Sequence, residues 1–313
     1  MLESDYLLGV FDASRMGALR FTTEEGGAFL SKETELSTPP WTTLRTLEQA
    51  TSAFENDENG TDDKWLKQLL APCSSLGGAR PKATVIAPDS SLWIAKFPSK
   101  HDEWDSGAWE MVTHELAVKC GLNVPKAKLE RFSKAGGTFL IKRFDRDGER
   151  RIHFASAMTL LGKTDGASGS EGAGYLDMVS FLKSNGASPR DDILELWKRI
   201  VFSIAVSNTD DHLRNHAFIM TDHGWRISPM YDVNPNIYGD TLSLNITADD
   251  NQMRFDVALE AAKSFGIEQE QANEIIESIR SVVESYWKTA AGDLGLSRNA
   301  IQHMEPAFDM KLK

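Results

Sequence analysis

Apolar residues recur at helical spacing in four stretches of the chain. The first covers 106–120, and Gly121 stands where a glycine commonly ends a helix. The second begins at Ser188 and Pro189, a favourable N-cap and first-turn pair, and its apolar stripe predicts a core helix. That stripe consists of Ile193, Leu196, Trp197, Ile200, Val201 and Ile204. The remaining two predicted helices cover 255–265, closed by Gly266, and 268–287.

Shorter apolar runs, interrupted by turn residues, predict strands. One predicted hairpin pairs 83–87 with 92–97, and a second pairs 217–220 with 225–228. A further strand is predicted at 138–143. The runs 7–10 and 18–21 predict another small hairpin at the start of the chain. The chain has no internal repeat, so these elements are expected to form one mixed α and β architecture.

Two segments have the composition of loops. Residues 56–63 (NDENGTDD) are acidic and rich in turn residues, and we place a subdomain boundary beside them. Residues 162–174 (GKTDGASGSEGAG) are rich in glycine and serine, and their backbone freedom predicts a mobile linker. Part of this segment, Gly162 to Thr164, resembles the end of a Walker A motif. Because Ala157 replaces the first glycine of that motif and no strand precedes it, we interpret the match as accidental.

The segment after the second predicted helix, Thr209 to Asn215 (TDDHLRN), has the spacing of a kinase catalytic loop. Four residues separate Asp210 from Asn215. Phosphoryl transfer needs a carboxylate that orients and deprotonates the attacking hydroxyl, and an amide oxygen that holds Mg²⁺. Asp210 is therefore the candidate base, and Asn215 is a candidate metal ligand.

The hairpin predicted at 217–228 returns the chain to this loop and leads to Asp232. We expect the Asp232 carboxylate beside Asn215, where it suits the hard cation Mg²⁺. His212 and His216 could share a zinc ion if they lay on a helix. Leu213, however, replaces the glutamate of the metalloprotease motif, and the stretch is predicted as a loop, so zinc is not favoured.

Residues upstream of this loop suit the phosphates of ATP. Adjacent glycines, Gly77 and Gly78, allow backbone N–H groups to approach a phosphate closely. Lys96 lies within an apolar strand, where a buried lysine needs an anion or an acid as partner. Glu110 on the next helix is the candidate acid, and Glu115 is its competitor.

Each of these residues also has an ordinary structural explanation. Asp210 alone would be a loop acid or a helix cap, Lys96 could extend to solvent from the edge of its strand, and Glu110 could be a solvated helix residue. Their occurrence together with Asn215 and Asp232 favours a kinase.

Charge and cysteine content limit the partners and the compartment. The 313 residues include 34 basic and 46 acidic side chains, and the net charge of −12 repels nucleic acid, so DNA contact is expected only through a partner. Two isolated cysteines, Cys73 and Cys120, predict a reducing compartment, which we take to be the cytoplasm. The sequence has no long apolar run and no signal-peptide pattern, so neither membrane insertion nor export is expected.

Six motifs occur in the order found in HipA-like kinases, the toxins of bacterial toxin–antitoxin modules. They are SSLGGARPK, WIAKFP, CGLNVP, KRFDRD, TDDHLRN and PMYDV, and the resemblance extends from about Leu70 to the C-terminus. It implies an α+β, protein-kinase-like fold with ATP between two lobes, a small mixed N-terminal one and a mainly helical C-terminal one. We expect a remnant of the HipA N-terminal subdomain at 1–60, the N-terminal lobe at 61–144 and the C-terminal lobe at 145–313.

The resemblance also implies roles for individual residues. Asp210 is the base, Asn215 and Asp232 hold Mg²⁺, and Ser75, or less favourably Ser74, is autophosphorylated. The implied ATP-binding residues are Gly77, Gly78, Ala79, Arg80, Pro81, Lys82, Lys96, Lys142, Arg143, Phe144, His212, Leu213, Arg214, Asn215, Tyr231 and Asp232.

The chain departs from the family pattern at three places. Lys142 stands where many relatives have glutamate, a change we expect to be tolerated because a hinge contacts adenine mainly through its backbone. Asp211 stands where glycine is frequent, and aspartate is one of the few residues that tolerate positive φ. Residues 7–21 resemble only the last part of a larger N-terminal domain. The remainder of that domain could be absent, truncated or supplied by a second chain.

The sequence therefore predicts a cytoplasmic, ATP- and Mg²⁺-dependent serine/threonine protein kinase. The resemblance implies a toxin that phosphorylates a protein of translation, such as an aminoacyl-tRNA synthetase, and that binds a small helix-turn-helix antitoxin. Two alternatives remain open. One is a small-molecule phosphotransferase of the kinase-like superfamily, and the other is a catalytically idle nucleotide-binding subunit that acts as a corepressor.

Overall fold

The computed structural model describes residues 3–31, 37–56 and 80–313. Five predicted site residues lie outside the described residues, so their roles stay predictions; they are Ser74, Ser75, Gly77, Gly78 and Ala79. The chain divides into two compact units. The first comprises 1–108 and 126–153, and the second comprises 109–125 and 154–313.

The first unit is built on an antiparallel four-stranded sheet in the order β1-β2-β4-β3. Its elements are α1 (Glu3–Gly9), α2 (Leu44–Asn56), β1 (Lys82–Ile86), β2 (Leu92–Lys96), the start of α3 (Ser106–Lys119), β3 (Ala127–Glu130), β4 (Thr138–Lys142), β5 (Arg146–Asp147) and β6 (Arg150–Arg151). Apolar side chains of β1 and β2 pack against Leu44 and Leu47 of α2 in one buried cluster. The three strands predicted for this unit are confirmed, with bounds shifted by one residue.

The hairpin predicted at the start of the chain is wrong. Glu3–Gly9 form helix α1, and Phe21 makes only an isolated bridge, with Leu30. A run of four apolar residues is too short to distinguish a strand from a helix. The Arg15 guanidinium donates to the carbonyl oxygens of Leu7 (2.8 Å) and Val10 (3.0 Å), so it supplies donors that the end of a helix lacks.

A buried carboxylate, Asp145, joins the end of the sheet to the N-terminal segment. Arg143 donates to it through Nε (2.8 Å) and Nη2 (2.6 Å), Arg146 Nη1 donates at 2.7 Å, and the Gly17 N–H donates at 2.7 Å. Burial alone would raise the pKa of Asp145. The hydrogen bond and charge of Arg143, with the charge of Arg146, outweigh burial and hold this pKa below its ordinary value.

The second unit is mainly helical and contains one three-stranded antiparallel sheet, β7-β8-β9. After the second part of α3, its elements are β7 (Phe154–Ser156), α4 (Ala157–Leu160), α5 (Tyr175–Asn185), α6 (Pro189–Ala205), β8 (Ala217–Thr221), β9 (Gly224–Ile227), α7 (Phe255–Ala261), α8 (Gln269–Asp293) and α9 (Arg298–Met304). None of the helices in the described ranges combines the length and the apolar character that a membrane span requires.

The four predicted helices and the hairpin of β8 and β9 are confirmed. Gly121 and Gly266 follow their helices with φ of +71° and +72°, a conformation in which glycine avoids a steric penalty. Helix α6 begins at Pro189 as expected. Helix α8 continues to Asp293, six residues beyond the predicted end, because Ala290 and Ala291 extend its buried face.

The glycine-rich segment (residues 162–174) is not a plain linker, so that interpretation is wrong. The Gly169 N–H donates to the Ser243 carbonyl (2.8 Å), and Asn245 Nδ2 donates to the Gly169 carbonyl (3.0 Å). A Cβ at Gly169 would stand 2.4 Å from Asn245 Oδ1, a distance that requires something to move. Glycine is required here because the Asn245 side chain packs closely against it, and not only because glycine gives the backbone freedom.

We predict that Asp145→Asn lowers the free energy of unfolding by about 3–5 kcal/mol, because it leaves the buried Arg143 charge uncompensated. The measurement is urea unfolding at neutral pH. Because the folded-state pKa of Asp145 lies below its ordinary value of 3.8, its stabilising contribution is full above that value and is lost as the pH falls through the folded-state pKa.

Asp147→Asn is the matched control, since Asp147 lies two residues further along the chain, in β5, and is exposed. It should change the unfolding free energy by less than about 0.5 kcal/mol. Equal stability of the two variants at neutral pH would contradict the role assigned to Asp145.

Candidate active site

The loop between α6 and β8, residues 206–216, is fastened where it leaves the helix. Ser207 has a φ of +52°, and its hydroxyl donates to the Ala307 carbonyl (2.9 Å). The next residue, Asn208, donates through its backbone N–H to the Ser203 carbonyl (2.9 Å) and through Nδ2 to Ser203 Oγ (3.4 Å). The chain therefore turns sharply at the end of a core helix, which presents the following residues in a defined direction.

Hydrogen bonds within the α6–β8 loop bring Asp210 and Asn215 together. The His212 N–H donates to the Asp210 carbonyl (3.0 Å), and the Asn215 N–H donates to the His212 carbonyl (2.9 Å). Asn215 Nδ2 also donates to the Asp210 carbonyl (3.0 Å). This bond engages the nitrogen end of the amide and directs the oxygen, the end that can bind a cation, to the opposite side.

Asp232 lies in a segment that is held by hydrogen bonds on both sides. Before it, the Met230 N–H donates to the Asn123 carbonyl (2.7 Å), and the Tyr231 hydroxyl donates to the Arg214 carbonyl (2.8 Å). After it, the Val233 carbonyl accepts from Thr113 Oγ1 (2.5 Å), and the Asn234 N–H donates to Asn208 Oδ1 (3.2 Å).

The backbone of Asp232 itself has a φ of +60°, a conformation that costs a residue with a side chain about 1–3 kcal/mol. Such strain persists only where the surrounding bonds impose it, and here they fix the carboxylate beside the α6–β8 loop. Asp211, for which the sequence suggested a tolerated positive φ, is not among the residues with positive φ.

Asp210 and Asp232 influence each other electrostatically. Burial raises the pKa of Asp210, and the negative charge of Asp232 raises it further, against the opposing effects of His212 and Arg214. A carboxyl whose pKa is raised holds a transferred proton more readily, which is the property that a general base requires.

The proposed donor set consists of hard oxygen ligands, which Mg²⁺ prefers. Mg²⁺ commonly binds one or two protein carboxylates and completes its shell with phosphate and water, so Asp232 and the Asn215 amide oxygen are adequate protein ligands. Among the described residues, no group of three or more His, Cys, Asp and Glu is arranged to hold a metal ion. His216 lies instead against Asp211, with its Nε2 2.8 Å from the carboxylate.

Asp211, His216 and Tyr175 form a buried cluster whose role the sequence did not indicate. The Asp211 carboxylate, only 2% exposed, accepts from the Tyr175 hydroxyl (2.6 Å) and from Ser203 Oγ (3.3 Å). Burial alone would raise the pKa of Asp211, but His216, Tyr175 and Ser203 together hold it below its ordinary value. The carboxylate thereby joins the α6–β8 loop to helices α5 and α6.

A cavity of about 210 Å³ opens beside Asp210. Three other predicted site residues of the α6–β8 loop, His212, Leu213 and Arg214, also line it. Its remaining wall comes from Met158, Ser243 and residues 164–168 of the glycine-rich segment. The structure thus places these four residues of the predicted site around one space.

The predicted ATP-binding residues of the first unit have partners of their own. Arg80 donates to the Phe97 carbonyl (3.1 Å) and to Asp102 (2.7 Å), and the Pro81 carbonyl accepts the Phe97 N–H (2.9 Å). Lys82 and Lys96 face each other across β1 and β2, and Lys96 Nζ lies 5.8 Å from the centre of the Phe139 ring.

The predicted hinge is tightly integrated in the first unit. The N–H groups of Lys142 and Arg143 donate to the carbonyls of Lys126 (2.8 Å) and Leu92 (2.9 Å), so those two donors are already used within the protein. The Arg143 side chain is committed to Asp145, and Phe144 is half-buried. Glu110 is buried in the second unit, and its pairing with Lys96 stays a prediction.

We predict that Tyr175→Phe lowers the free energy of unfolding by about 1.5–3 kcal/mol, the usual contribution of a hydrogen bond to a charged group. The variant keeps the ring but removes the donor that Asp211 accepts from inside the core. Urea unfolding is the measurement. Tyr238→Phe is the control, because Tyr238 is exposed; similar losses in both variants would contradict the role of the buried bond.

Comparison with known proteins identifies the family to which this chain belongs. Residues 74–287 match the family described as the HipA-like C-terminal domain. The serine/threonine-protein kinase toxin HipA of Shewanella oneidensis is 26% identical over 276 residues, which cover 75% of this chain and 61% of that protein. Y4mE of Sinorhizobium fredii, provisionally named a kinase, is 30% identical over 183 residues, or 51% of this chain and 41% of that protein. The chain thus spans less than two thirds of these curated relatives.

The solved structure of Shewanella oneidensis HipA with HipB and operator DNA has a similar fold. The TM-score is 0.67 at 18% identity, and the alignment covers 97% of this chain and 76% of that chain. Identity at this level is informative about the fold alone, and the predicted mixed, protein-kinase-like fold class is confirmed. Because the family match extends over more than half of the sequence, the chain belongs to the family of HipA-like C-terminal domains.

Proposed function

We propose that this chain is an ATP- and Mg²⁺-dependent kinase that phosphorylates serine or threonine in a protein. The observation that carries the proposal is the α6–β8 loop, in which a direct hydrogen bond fixes Asn215 to the Asp210 backbone. Asp232 is held close enough for its charge to raise the pKa of Asp210. The family match and the similarity to a kinase toxin support the same chemistry.

Each residue of the site has one task in this mechanism. ATP with Mg²⁺ supplies, when bound, a phosphoryl group whose negative charge the cation partly neutralises. Asp232 and the amide oxygen of Asn215 hold the cation, while Asp210 orients the acceptor hydroxyl and takes its proton. The proposal also includes ATP binding by residues 77–82, Lys96 and residues 142–144. It further includes Glu110 as the partner of Lys96.

We predict that Asp210→Asn lowers phosphoryl transfer by about 10²-fold or more, the scale of acid–base catalysis, because asparagine cannot accept the proton. Nucleotide affinity should remain nearly unchanged, since the metal ligands are intact. Incorporation of γ-labelled phosphate into protein measures the first quantity, and calorimetric titration with Mg-ADP measures the second.

Asp232→Asn is the contrasting variant, because it removes a metal ligand and leaves the base in place. It should weaken binding in the presence of Mg²⁺ far more than binding in EDTA. Full activity of the Asp210 variant would overturn the assignment of the base. A wild-type protein that binds nucleotide but transfers no phosphate would indicate an idle subunit, and transfer only to small molecules would indicate the alternative phosphotransferase.

We also propose that the chain is a toxin that acts together with a small helix-turn-helix antitoxin. The Shewanella oneidensis HipA structure contains HipB and operator DNA, and the net charge of −12 makes this chain poorly suited to bind DNA alone. A protein of translation, such as an aminoacyl-tRNA synthetase, is the proposed substrate.

We predict that co-expression with its neighbouring genes yields a complex with a small basic protein, and that this complex, unlike the isolated chain, binds operator DNA. Affinity purification and a DNA mobility shift at physiological salt are the measurements. Recovery of the chain alone from the complete operon, or DNA binding without a partner, would contradict the proposal.

Autophosphorylation at Ser75, with Ser74 as second choice, is the self-inactivation we propose for this kinase. A phosphate brings roughly −1.5 to −2 charges, which would oppose the binding of ATP phosphates at the neighbouring glycines. Phosphopeptide mapping, described below, also tests this modification.

A further inference from the structure

The cavity beside Asp210 is too small to be a complete ligand pocket. Its volume of about 210 Å³ is below the roughly 300–1,000 Å³ of pockets that enclose small molecules. It suits a part of a ligand, such as one hydroxyl side chain with the group that reacts with it. The glycine-rich segment already places hydroxyl-bearing residues in this wall, among them Thr164 and Ser168.

Residues 164–168 bridge two anchored points at the edge of the cavity. On one side, the Lys163 N–H donates to the Met158 carbonyl (3.0 Å), and on the other, the Gly169 N–H donates to the Ser243 carbonyl (2.8 Å). Between them, Gly166 has a φ of +85°, and no atom lies within 4 Å of the position that a Cβ would occupy. The bridge is therefore held at its ends but has open space at its centre.

An ion pair ties this bridge to the α6–β8 loop. The Asp165 carboxylate lies 3.0 Å from Arg214 Nη1, and both side chains are well exposed. Exposed pairs of this kind contribute little to stability, so the pair orients the bridge without locking it. Thr164 immediately precedes Asp165, so the pair restrains the backbone next to it, and Thr164 lines the cavity that Asp210 also lines.

From this arrangement we infer that Thr164 is phosphorylated in cis, with Asp210 as the base. The inference rests on the proposed kinase function. The Thr164 oxygen forms a bond to the γ-phosphorus of ATP while the bond from that phosphorus to the β,γ-bridging oxygen breaks. ADP leaves with the electron pair, and the hydroxyl proton passes to the Asp210 carboxylate.

The other hydroxyls that line the cavity are less well placed to react. Ser168 Oγ shares a hydrogen bond with Ser170 Oγ (2.9 Å), and the Ser168 carbonyl accepts the N–H of Ala173 (3.0 Å). Ser243 Oγ donates to the Thr209 carbonyl (2.9 Å), which directs its proton away from the base. Thr164 is exposed, and the turn that begins there is closed through its carbonyl, which accepts the Ala167 N–H (3.2 Å), and not through its hydroxyl.

Phosphorylation changes the partner of Arg214. A phosphate next to Asp165 carries more charge than a carboxylate and offers three acceptor oxygens, so it takes the guanidinium from Asp165. The same charge is repelled by Asp210, which moves the modified residue away from the base. The product is a bridge fixed to Arg214 with the cavity open to another acceptor.

The test is phosphopeptide mapping of the full chain after incubation with Mg-ATP. Trypsin separates the two candidate regions, because Thr164 falls in the peptide of residues 164–183 and Ser74 and Ser75 fall in the peptide of residues 68–82. Wild-type protein should gain one phosphate at Thr164, at a rate independent of protein concentration. In the Asp210→Asn protein the peptide of residues 164–183 should remain unmodified even when this variant is mixed with wild type, since the reaction at Thr164 is intramolecular.

Three variants and one physical measurement sharpen the result. Thr164→Val should abolish modification of the peptide, Thr164→Ser should restore it, and Asp165→Asn should slow it several-fold. After removal of nucleotide and Mg²⁺, the modified wild type should melt about 2 °C higher than the unmodified protein, as expected for a new charge-assisted contact. Thr164→Val should show no such shift.

The outcomes separate this inference from the proposed function. Phosphate confined to the peptide of residues 68–82, to Ser168 or Ser170, or to an added protein would overturn the assignment of Thr164 and leave the kinase intact. Phosphorylation of the Asp210→Asn chain at Thr164 by wild type would overturn the cis mechanism. Absence of phosphoryl transfer to any acceptor would overturn both.

Discussion

The geometry of the α6–β8 loop depends on one requirement, which is that the buried charge of Asp211 must be compensated by neighbouring groups. An ionised carboxylate loses its hydration inside a protein, and this loss is tolerable only where donors and positive charge replace the water. Here Tyr175 comes from the first turn of α5, Ser203 from the last turn of α6 and His216 from the residue before β8. Three elements must therefore meet at one side chain, and the residues on either side of it, Asp210 and His212, have little freedom.

Hydrogen bonds from distant parts of the chain also restrain the segment around Asp232. These bonds connect two motifs that appear unrelated in the sequence. The Asn123 carbonyl accepts the Met230 N–H, while the Asn123 N–H donates to Glu195 of α6 (3.1 Å). The turn after α3 thus connects helix α6 to the start of the Asp232 segment. Motifs CGLNVP and PMYDV are far apart in the chain, but their backbones bond directly, so neither can shift without the other.

The parts of the fold that could be predicted are those whose signal is local. Helix α6 carries its own apolar stripe and its own Pro189 start, and the β8–β9 hairpin carries its own turn. Helix α1 was missed because seven residues show neither period clearly and because Arg15, eight residues beyond Leu7, completes its end. The packing of Gly169 against Asn245 was missed for the same reason, since the partner lies 76 positions away.

In the candidate site, too, some residues have a local signal in the sequence and others do not. Asp210, Asn215 and Asp232 could be proposed from their spacing, because this spacing is the one that kinase catalytic loops show. Asp211 could not, because its meaning depends on Tyr175, which lies 36 residues earlier, and on burial that no local pattern reveals. The sequence offers only an acidic residue directly beside the candidate base and a histidine, His216, five positions after it; their contact is visible only in the structure.

The pKa values of two adjacent aspartates, Asp210 and Asp211, are shifted in opposite directions, so one loop contains both a carboxyl that takes up a proton more readily and a carboxylate that stays charged. Partial burial and the nearby charge of Asp232 raise the pKa of Asp210, so its ionised form is less favoured than that of an ordinary aspartate. Asp211 is more deeply buried, yet its donors keep its pKa low, so it remains charged where Asp210 begins to accept protons. Pairs of acids driven apart in this manner are typical of sites that assign separate roles to similar side chains. If Asp210 gains and loses a proton, the loop can keep its shape only when the carboxylate that anchors it does not titrate in the same pH range. Asp211 meets that requirement, because its hydrogen-bond partners come from the core.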